Sequence, residues 1–323
     1  MTDPLPADAT TPRTAVLLMA YGTPRHPDEI EEYYTDIRRG RPPTPEALAE
    51  LTERYAAIGG VSPLAQLTEA QRDALQAALD AAEPGRYHVT LGLKHADPKV
   101  EDAAAALAAD GYEQVVGLVL APHYSSYSIG QYLDRARQGV ASVTPDTEVL
   151  GIDSWAVEPA FVAFLADDLQ TRLTAMRARA QGRVRVLFTA HSLPQRIIDG
   201  GDPYPDELRA TAEAVADRLG LVEGEDWQIA WQSAGRTPEP WIGPDILEVI
   251  DQLGDDDGIG GVIVSACGFV ADHLEVLYDL DLEAAQRADS VGLAFDRTAC
   301  VNDDPAIMAA LAARVRAVVA DAP

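Results

Sequence analysis

Short runs of apolar and β-branched residues recur along the chain, separated mostly by alanine-rich stretches with helical periodicity. Runs of four to seven such residues between helical segments are typical of buried parallel strands in an α/β fold. The pattern therefore predicts eight strands, at Ala15–Ala20, His88–Leu93, Gln114–Leu120, Glu148–Ile152, Val184–Thr189, Trp227–Trp231, Gly261–Ala266 and Ser290–Phe295.

The order of the predicted strands divides the chain into two units. Four strands precede Trp155 and four follow Gly182, with a long helical stretch at Glu158–Ala180 between them. Alternating strands and helices favour one sheet in each unit. We therefore expect two α/β domains flanked by terminal segments: a polar tail at 1–12, domains at 13–155 and 156–300, and a final segment at 301–323.

Proline and glycine mark the expected helix ends. A cap residue followed by proline, which suits the first helical position, predicts helix starts at Thr44-Pro45, Asp97-Pro98 and Gly243-Pro244. Glycine is favoured just after the last turn, which predicts helix ends at Gly59, Gly220 and Gly254. The last predicted helix, Pro305–Val319, could pack on either domain.

Composition narrows the function and the compartment. The chain has 25 Lys and Arg against 52 Asp and Glu, a net charge of −27, which argues against nucleic acid or an anionic membrane surface as the main partner. The two cysteines form no paired motif, the N-terminus has no signal-peptide pattern, and no apolar run reaches the roughly 20 residues of a membrane span. We expect a cytoplasmic protein without a membrane span.

Ligands of open parallel sheets bind beyond the carboxyl ends of the strands, so the residues after each run are the candidates for chemistry. No glycine-rich nucleotide motif follows any of the runs. His191 follows the fifth run, where an imidazole could act as a base near neutral pH, bind a metal through a neutral nitrogen, or have a structural role only.

Three carboxylates follow the seventh run at helical spacing. Glu275, Asp279 and Glu283 are separated by four residues each, which places them on one face of a helix. Like charges at this spacing repel by about a few tenths of a kcal/mol per pair, so the pattern favours a site where a cation or protons move. A solvated acidic face in a very acidic protein is the alternative.

Arginines form a local positive island in this acidic chain. Arg38, Arg39 and Arg41 lie within four residues, and Arg54 follows in the next helical stretch. Guanidinium groups suit carboxylates, although the cluster could instead serve the negative end of a helix. A histidine, a row of carboxylates and an arginine patch together fit metal insertion into a macrocycle that carries carboxylates.

The motifs resemble those of ferrochelatases over nearly the whole chain. The matching segments are Met19–Pro24, Arg54–Gln66, His191–Pro194, Gly201–Pro205, Trp231–Ser233 and Gly268–Asp279. The resemblance implies the fold of class II chelatases: two Rossmann-like domains, each with a parallel four-stranded sheet flanked by helices. It also implies that porphyrin binds between the domains and receives ferrous iron.

The resemblance further implies a role for individual residues. His191 and Glu275 would be catalytic and bind the iron, with Asp279 and Glu283 as an outer route for metal or protons. A tyrosine at position 21, and the lack of a C-terminal extension, resemble the branch that uses coproporphyrin III and makes coprohaem III. The macrocycle and its propionates would contact Tyr21, Arg38, Arg54, Tyr55, Ser62 and Tyr132.

The resemblance also implies what else takes part. Coproporphyrin III and ferrous iron would be the substrates, no cofactor would be required, and a coprohaem-using enzyme would follow. Two cysteines are too few for the four-cysteine [2Fe–2S] cluster of some relatives, and nothing in the sequence demands more than a monomer. The alternatives are a chelatase for protoporphyrin IX or another metal, and a tetrapyrrole or haem carrier without catalysis.

Overall fold

The computed structural model describes residues 14–235 and 237–322, which contain two parallel four-stranded sheets. The first sheet has the order β2-β1-β3-β4 and the second β6-β5-β7-β8. The strands are β1 (Thr14–Ala20), β2 (Tyr87–Leu93), β3 (Gln114–Val119), β4 (Glu148–Ile152), β5 (Arg183–His191), β6 (Trp227–Gln232), β7 (Ile259–Ser265) and β8 (Ala294–Arg297). The two-domain α/β prediction is confirmed, and the predicted tail at 1–12 lies outside the described residues.

Helices connect the strands and cover both sheets. They are α1 (Ile30–Ile37), α2 (Pro45–Ala57), α3 (Leu64–Ala82), α4 (Val100–Ala109), α5 (Ile129–Ala141), α6 (Pro159–Arg179), α7 (Gln195–Asp199), α8 (Tyr204–Leu219), α9 (Ile246–Gly254), α10 (Leu274–Leu277), α11 (Ala285–Ser290) and α12 (Pro305–Ala320). A 3-10 turn occupies Pro27–Glu29, and a π-helix occupies Asp279–Ala284. Within the described ranges, none of the helices has the length and apolar character needed to cross a membrane.

Two of the three predicted proline helix starts are wrong. Helix α2 does begin at Pro45, where the Thr44 hydroxyl accepts a hydrogen bond from the backbone of Ala47. The carbonyls of Pro98 and Pro244, however, accept hydrogen bonds from the ends of strands β2 and β6. The residue after each proline, Lys99 or Asp245, forms a β-bridge to the strand end. Helices α4 and α9 therefore begin two residues after the prolines, at Val100 and Ile246.

The eighth strand also differs from its prediction at Ser290–Phe295. Ser290 ends α11, and Gly292 turns the chain with a φ of 78°. This left-handed turn delays the strand until Ala294, and it then continues to Arg297. The apolar residues Val291 and Leu293 follow the helix rather than form the edge strand, although both pack in the core of the second sheet.

The last helix packs on the first domain and on α6, which settles the alternative that the sequence left open. Helix α12 lies against α3, β3 and β4, and its buried residues share one core with both sheets. Arg314 binds Glu158 at 2.9 Å and the carbonyl of Ser154 at 3.0 Å, next to the connection between the domains. The chain therefore returns from the second domain to close the first.

Candidate active site

His191 is the last residue of β5 and faces the cleft at the carboxyl end of the second sheet. Its Nδ1 is hydrogen-bonded to the backbone carbonyl of Ser192, which can only accept. Nδ1 therefore carries the proton, and in the neutral ring Nε2 presents a lone pair. Nε2 lies 3.7 Å from Oε1 of Glu275, too far for a direct hydrogen bond but a separation that a metal ion bound to both atoms can span.

Glu275 lies in α10, between two imidazole rings. Its Oε2 is 3.6 Å from Nε2 of His273, whose Nδ1 faces the carbonyl of Ala271 at 3.0 Å. Burial raises the pKa of Glu275, but the charge of His191, the hydrogen bond and charge of His273, and the charge of Arg54 lower it further, to about 2. The group is therefore an ionised carboxylate, suited to hold a cation rather than to accept protons near neutral pH.

His273 is a site residue that the sequence analysis did not identify. It is the N-cap residue of α10 but makes no side-chain cap hydrogen bond. The centroid of its ring lies 5.0 Å from that of the Phe269 ring. The signal in the sequence was its position two residues before Glu275. Because the backbone of His273 is extended and α10 begins directly after it, the side chains of His273 and Glu275 lie on the same side of the chain.

The row of three carboxylates does not follow a continuous α-helix. Helix α10 ends at Leu277, and the π-helix begins at Asp279, where the backbone of Glu283 bonds to the carbonyl of Tyr278 five residues earlier. The wide turn still keeps residues four apart near one another, because the charges of Glu275 and Glu283 both act on Asp279. π-Helical turns are frequent at functional sites.

Asp279 is buried and belongs to a contact between the two domains. It accepts hydrogen bonds from Arg54 of α2 and from the hydroxyl of Ser233. Burial raises its pKa to about 6, against the lowering effect of Arg54. Glu283 is exposed, so the carboxylates lead from the cleft through a buried group to the surface.

Tyr21 faces the cleft from the first domain, directly after β1. It is 43% exposed, and its ring lies 4.6 Å from that of His95, which follows β2. The preceding Lys94 donates to Gln131 and lies 5.2 Å from the ring of Tyr132. Burial, then the charges of Arg135 and Arg39, lower the pKa of Lys94 to about 8. This lysine is therefore still protonated at neutral pH and loses its proton more readily than an exposed lysine.

Three predicted porphyrin contacts are buried side chains of the first domain. Tyr55, Ser62 and Tyr132 are 2%, 5% and 4% exposed. The Tyr55 hydroxyl pairs with Thr23, and the Ser62 hydroxyl accepts from the backbone of Leu64 at the start of α3. These residues support the cleft wall, and their contact with a macrocycle stays a prediction.

The arginines divide into two sites. Arg38, Arg39 and Arg41 remain together and exposed at the end of α1, outside every ion pair formed among the described residues. Arg54 lies elsewhere: it pairs with Asp279, and its guanidinium lies 4.7 Å from the Tyr278 ring. Nε of Arg38 donates to the carbonyl of Arg41 at 3.2 Å, but the island at 38–41 has no carboxylate partner among the described residues, whereas Arg54 does.

The ferrochelatase family model matches residues 13–319. The chain belongs to the ferrochelatase family. Among curated relatives, the ferrochelatase of Herpetosiphon aurantiacus is 45% identical over 296 residues, covering 92% of this chain and 96% of the relative. The coproporphyrin III ferrochelatase of Geobacillus kaustophilus is 43% identical over 301 residues, covering 93% and 94%.

Solved structures support the same fold. SirB from Bacillus subtilis, determined with Fe³⁺, superposes with a TM-score of 0.54 at 14% identity, covering 96% of each chain. At that identity the likeness concerns the fold alone. Family membership and the two-sheet architecture confirm the resemblance that the sequence motifs carried.

Proposed function

We propose that this member of the ferrochelatase family inserts ferrous iron into coproporphyrin III, giving coprohaem III in haem biosynthesis. The observation that carries the proposal is the pairing of a histidine lone pair with an ionised carboxylate at 3.7 Å, in a cleft whose other wall carries Tyr21. Iron is a substrate here, so the site must both bind the ion and release it into the macrocycle.

The first domain would hold the macrocycle. Arg38, Arg39 and Arg41 supply exposed guanidinium groups that pair with no carboxylate of the described residues, and Tyr21 offers an exposed ring toward one porphyrin face. Coproporphyrin III carries twice as many propionates as protoporphyrin IX, so a basic rim favours the former. Binding energy from these remote carboxylates can bend the macrocycle and tilt a pyrrole nitrogen toward the metal.

The second domain would carry the metal and the protons. Glu275, with a pKa of about 2, acts as the anionic ligand of Fe²⁺. The lone pair on Nε2 of His191 completes the iron site. Once the ion has passed into the macrocycle, this lone pair takes up one pyrrole proton and passes it on before it accepts the second. Each insertion releases two protons, which the ionised Glu275 does not retain near neutral pH.

Asp279 and Glu283 would connect the cleft to solvent. A carboxyl group with a pKa of about 6 gains and loses protons readily near neutral pH, and Glu283 reaches the surface. Asp279 and Glu283 therefore form the outer route. The product would pass to a coprohaem-using enzyme, with the chain acting as a monomer.

The direct test is anaerobic turnover with ferrous iron, followed by absorbance, with coproporphyrin III and protoporphyrin IX measured side by side. We expect a clear preference for coproporphyrin III in kcat/KM. A preference for protoporphyrin IX would keep the insertion chemistry and refute the substrate. Tight binding of both porphyrins without insertion would instead indicate a tetrapyrrole carrier.

A further inference from the structure

Gln232 connects the two segments that carry His191 and Glu275. It is the last residue of β6, stands opposite His191 in the sheet register, and is completely buried. Its backbone carbonyl accepts from Ser192, the residue after His191, at 2.8 Å. A buried polar side chain at this position needs partners, because an unpaired amide in the protein interior destabilises the fold.

Both ends of the Gln232 amide have specific partners. Oε1 accepts from the Thr189 hydroxyl at 2.9 Å, and Nε2 donates to the backbone carbonyl of Glu275 at 3.1 Å. The carbonyl of Glu275 can only accept, so the NH₂ group must face it, and the Thr189 hydroxyl then donates to the other end. One side chain thus fixes the distance between the end of β5 and α10.

This bond matters because α10 cannot fix the position of Glu275 by itself. The helix has four residues and passes into the π-helix, so its orientation depends on contacts with other elements. The residue that follows β6, Ser233, has a φ of 60° and donates to Asp279. Consecutive residues at the end of one strand therefore hold the carboxylate-bearing segment at two points.

We propose that Gln232 is a positioning residue, which holds Glu275 at the separation from Nε2 of His191 that a divalent cation needs. The inference rests on the proposed function, because the proposed function assigns the metal to His191 and Glu275. Residues that orient metal ligands typically change metal affinity or activity by about 10–100-fold when they are replaced. Porphyrin binding, which involves the other domain, should be unaffected.

The test compares Gln232→Leu, Gln232→Glu and Thr189→Val with the wild type. We expect Gln232→Leu to raise the KM for metal, and the Kd for Co²⁺ titrated into the full chain without porphyrin, by about tenfold. Gln232→Glu should be at least as impaired, because a carboxylate accepts from Thr189 but cannot donate to Glu275. Thr189→Val should show a smaller change in the same direction.

Gln71→Leu is the matched control. Gln71 is equally buried and donates to the carbonyl of Asn302 at 2.9 Å, but it contacts neither His191 nor Glu275. We expect a similar loss of Tm in Gln71→Leu and Gln232→Leu, with metal affinity reduced only in the latter. Metal affinity unchanged in Gln232→Leu, equally reduced in Gln71→Leu, or retained in Gln232→Glu would overturn the inference.

The two proposals fail in different ways. If the wild type inserts no metal into either porphyrin, the proposed function fails, and the Co²⁺ titration still decides whether Gln232 sets the affinity of the histidine–carboxylate pair. If the wild type inserts iron and Gln232→Leu matches it in the KM for metal, only the positioning role fails.

Discussion

The two sheets have the same strand order and parallel direction, yet their carboxyl ends carry different chemistry. The strands of the first sheet are followed by Tyr21, Lys94 and His95, and the charge of Arg39 in the cluster at 38–41 acts on Lys94. The second ends in His191 and faces Glu275. The shared topology therefore places a ligand site at the carboxyl end of each sheet, whereas the residues after the strands determine which chemical groups each site can bind.

The contrast is also electrostatic. The chain has a net charge of −27, and its arginine cluster at 38–41, which forms no ion pair within the part of the chain that the structure describes, belongs to the first domain. Surface charges separated by more than about 8 Å are largely screened at physiological salt, so the cluster remains attractive to carboxylates. If this division is correct, substitutions in the two domains should change different kinetic constants.

The largest effect is expected in the second domain, for His191→Ala. Loss of the Nε2 lone pair should lower kcat by about 10²–10⁴-fold, while the porphyrin Kd measured by fluorescence stays within about twofold. His88→Ala, an exposed histidine on β2, serves as the control and should retain activity. Weak porphyrin binding with normal turnover per bound porphyrin would refute the assignment of His191.

The opposite pattern is expected in the first domain, for Arg38→Ala. Loss of one exposed guanidinium should raise the KM for coproporphyrin by about three- to tenfold with kcat unchanged, and salt should reduce the difference. Arg137→Ala, an exposed arginine of α5 paired with Asp134, is the control. A change in kcat alone would contradict a propionate-binding role.

The contact between the domains should respond to pH. Arg54 lowers the pKa of Asp279, which is about 6, so Arg54→Ala should raise that pKa and move the acidic limb of kcat/KM to higher pH. The variant should therefore lose severalfold at pH 6 and much less at pH 8. In Asp279→Asn this carboxyl group is absent, so the acidic limb of kcat/KM should no longer shift when Arg54→Ala is added.

Arg172→Ala provides the control for Arg54→Ala. Arg172 is a similarly covered arginine, paired with Asp168 and Asp296 away from the cleft. We expect its replacement to leave the shape of the pH profile unchanged. An identical shift in both variants would mean that the effect is a general loss of stability.

The smallest effect concerns acid stability. The pKa of Glu275 is about 2 in the folded chain and about 4.3 in an unfolded one, so its contribution to stability is present above pH 4.3 and disappears as the pH falls toward 2. The free energies of unfolding of wild type and Glu275→Gln, measured with urea, should therefore differ by a constant amount above about pH 5 and converge as the pH falls from about 4.3 toward 2. Glu53→Gln, at an exposed site, should show no such convergence.

Local pattern was sufficient for most of the fold. A strand such as β1, with every residue buried, needs a continuous apolar run, and that run is visible without knowing its neighbours. The pattern failed at Ser290–Phe295 and at Pro98 and Pro244. At these positions the residues are compatible with a helix or a strand, but in the structure they form a turn or pair with the end of a strand. Element ends depend on hydrogen-bond partners, and those are distant in sequence.

The sequence by itself determined which chemistry was present: an imidazole after β5, carboxylates four residues apart, and an arginine cluster in an acidic chain. Only the tertiary structure decided how these groups are paired. It brought Arg54 to Asp279, 225 residues away, placed His191 beside Glu275, and made Gln232 bridge β6 to α10. The reason is physical: periodicity records which face of an element is buried, whereas pKa values and ligand geometry depend on the atoms that other elements place there.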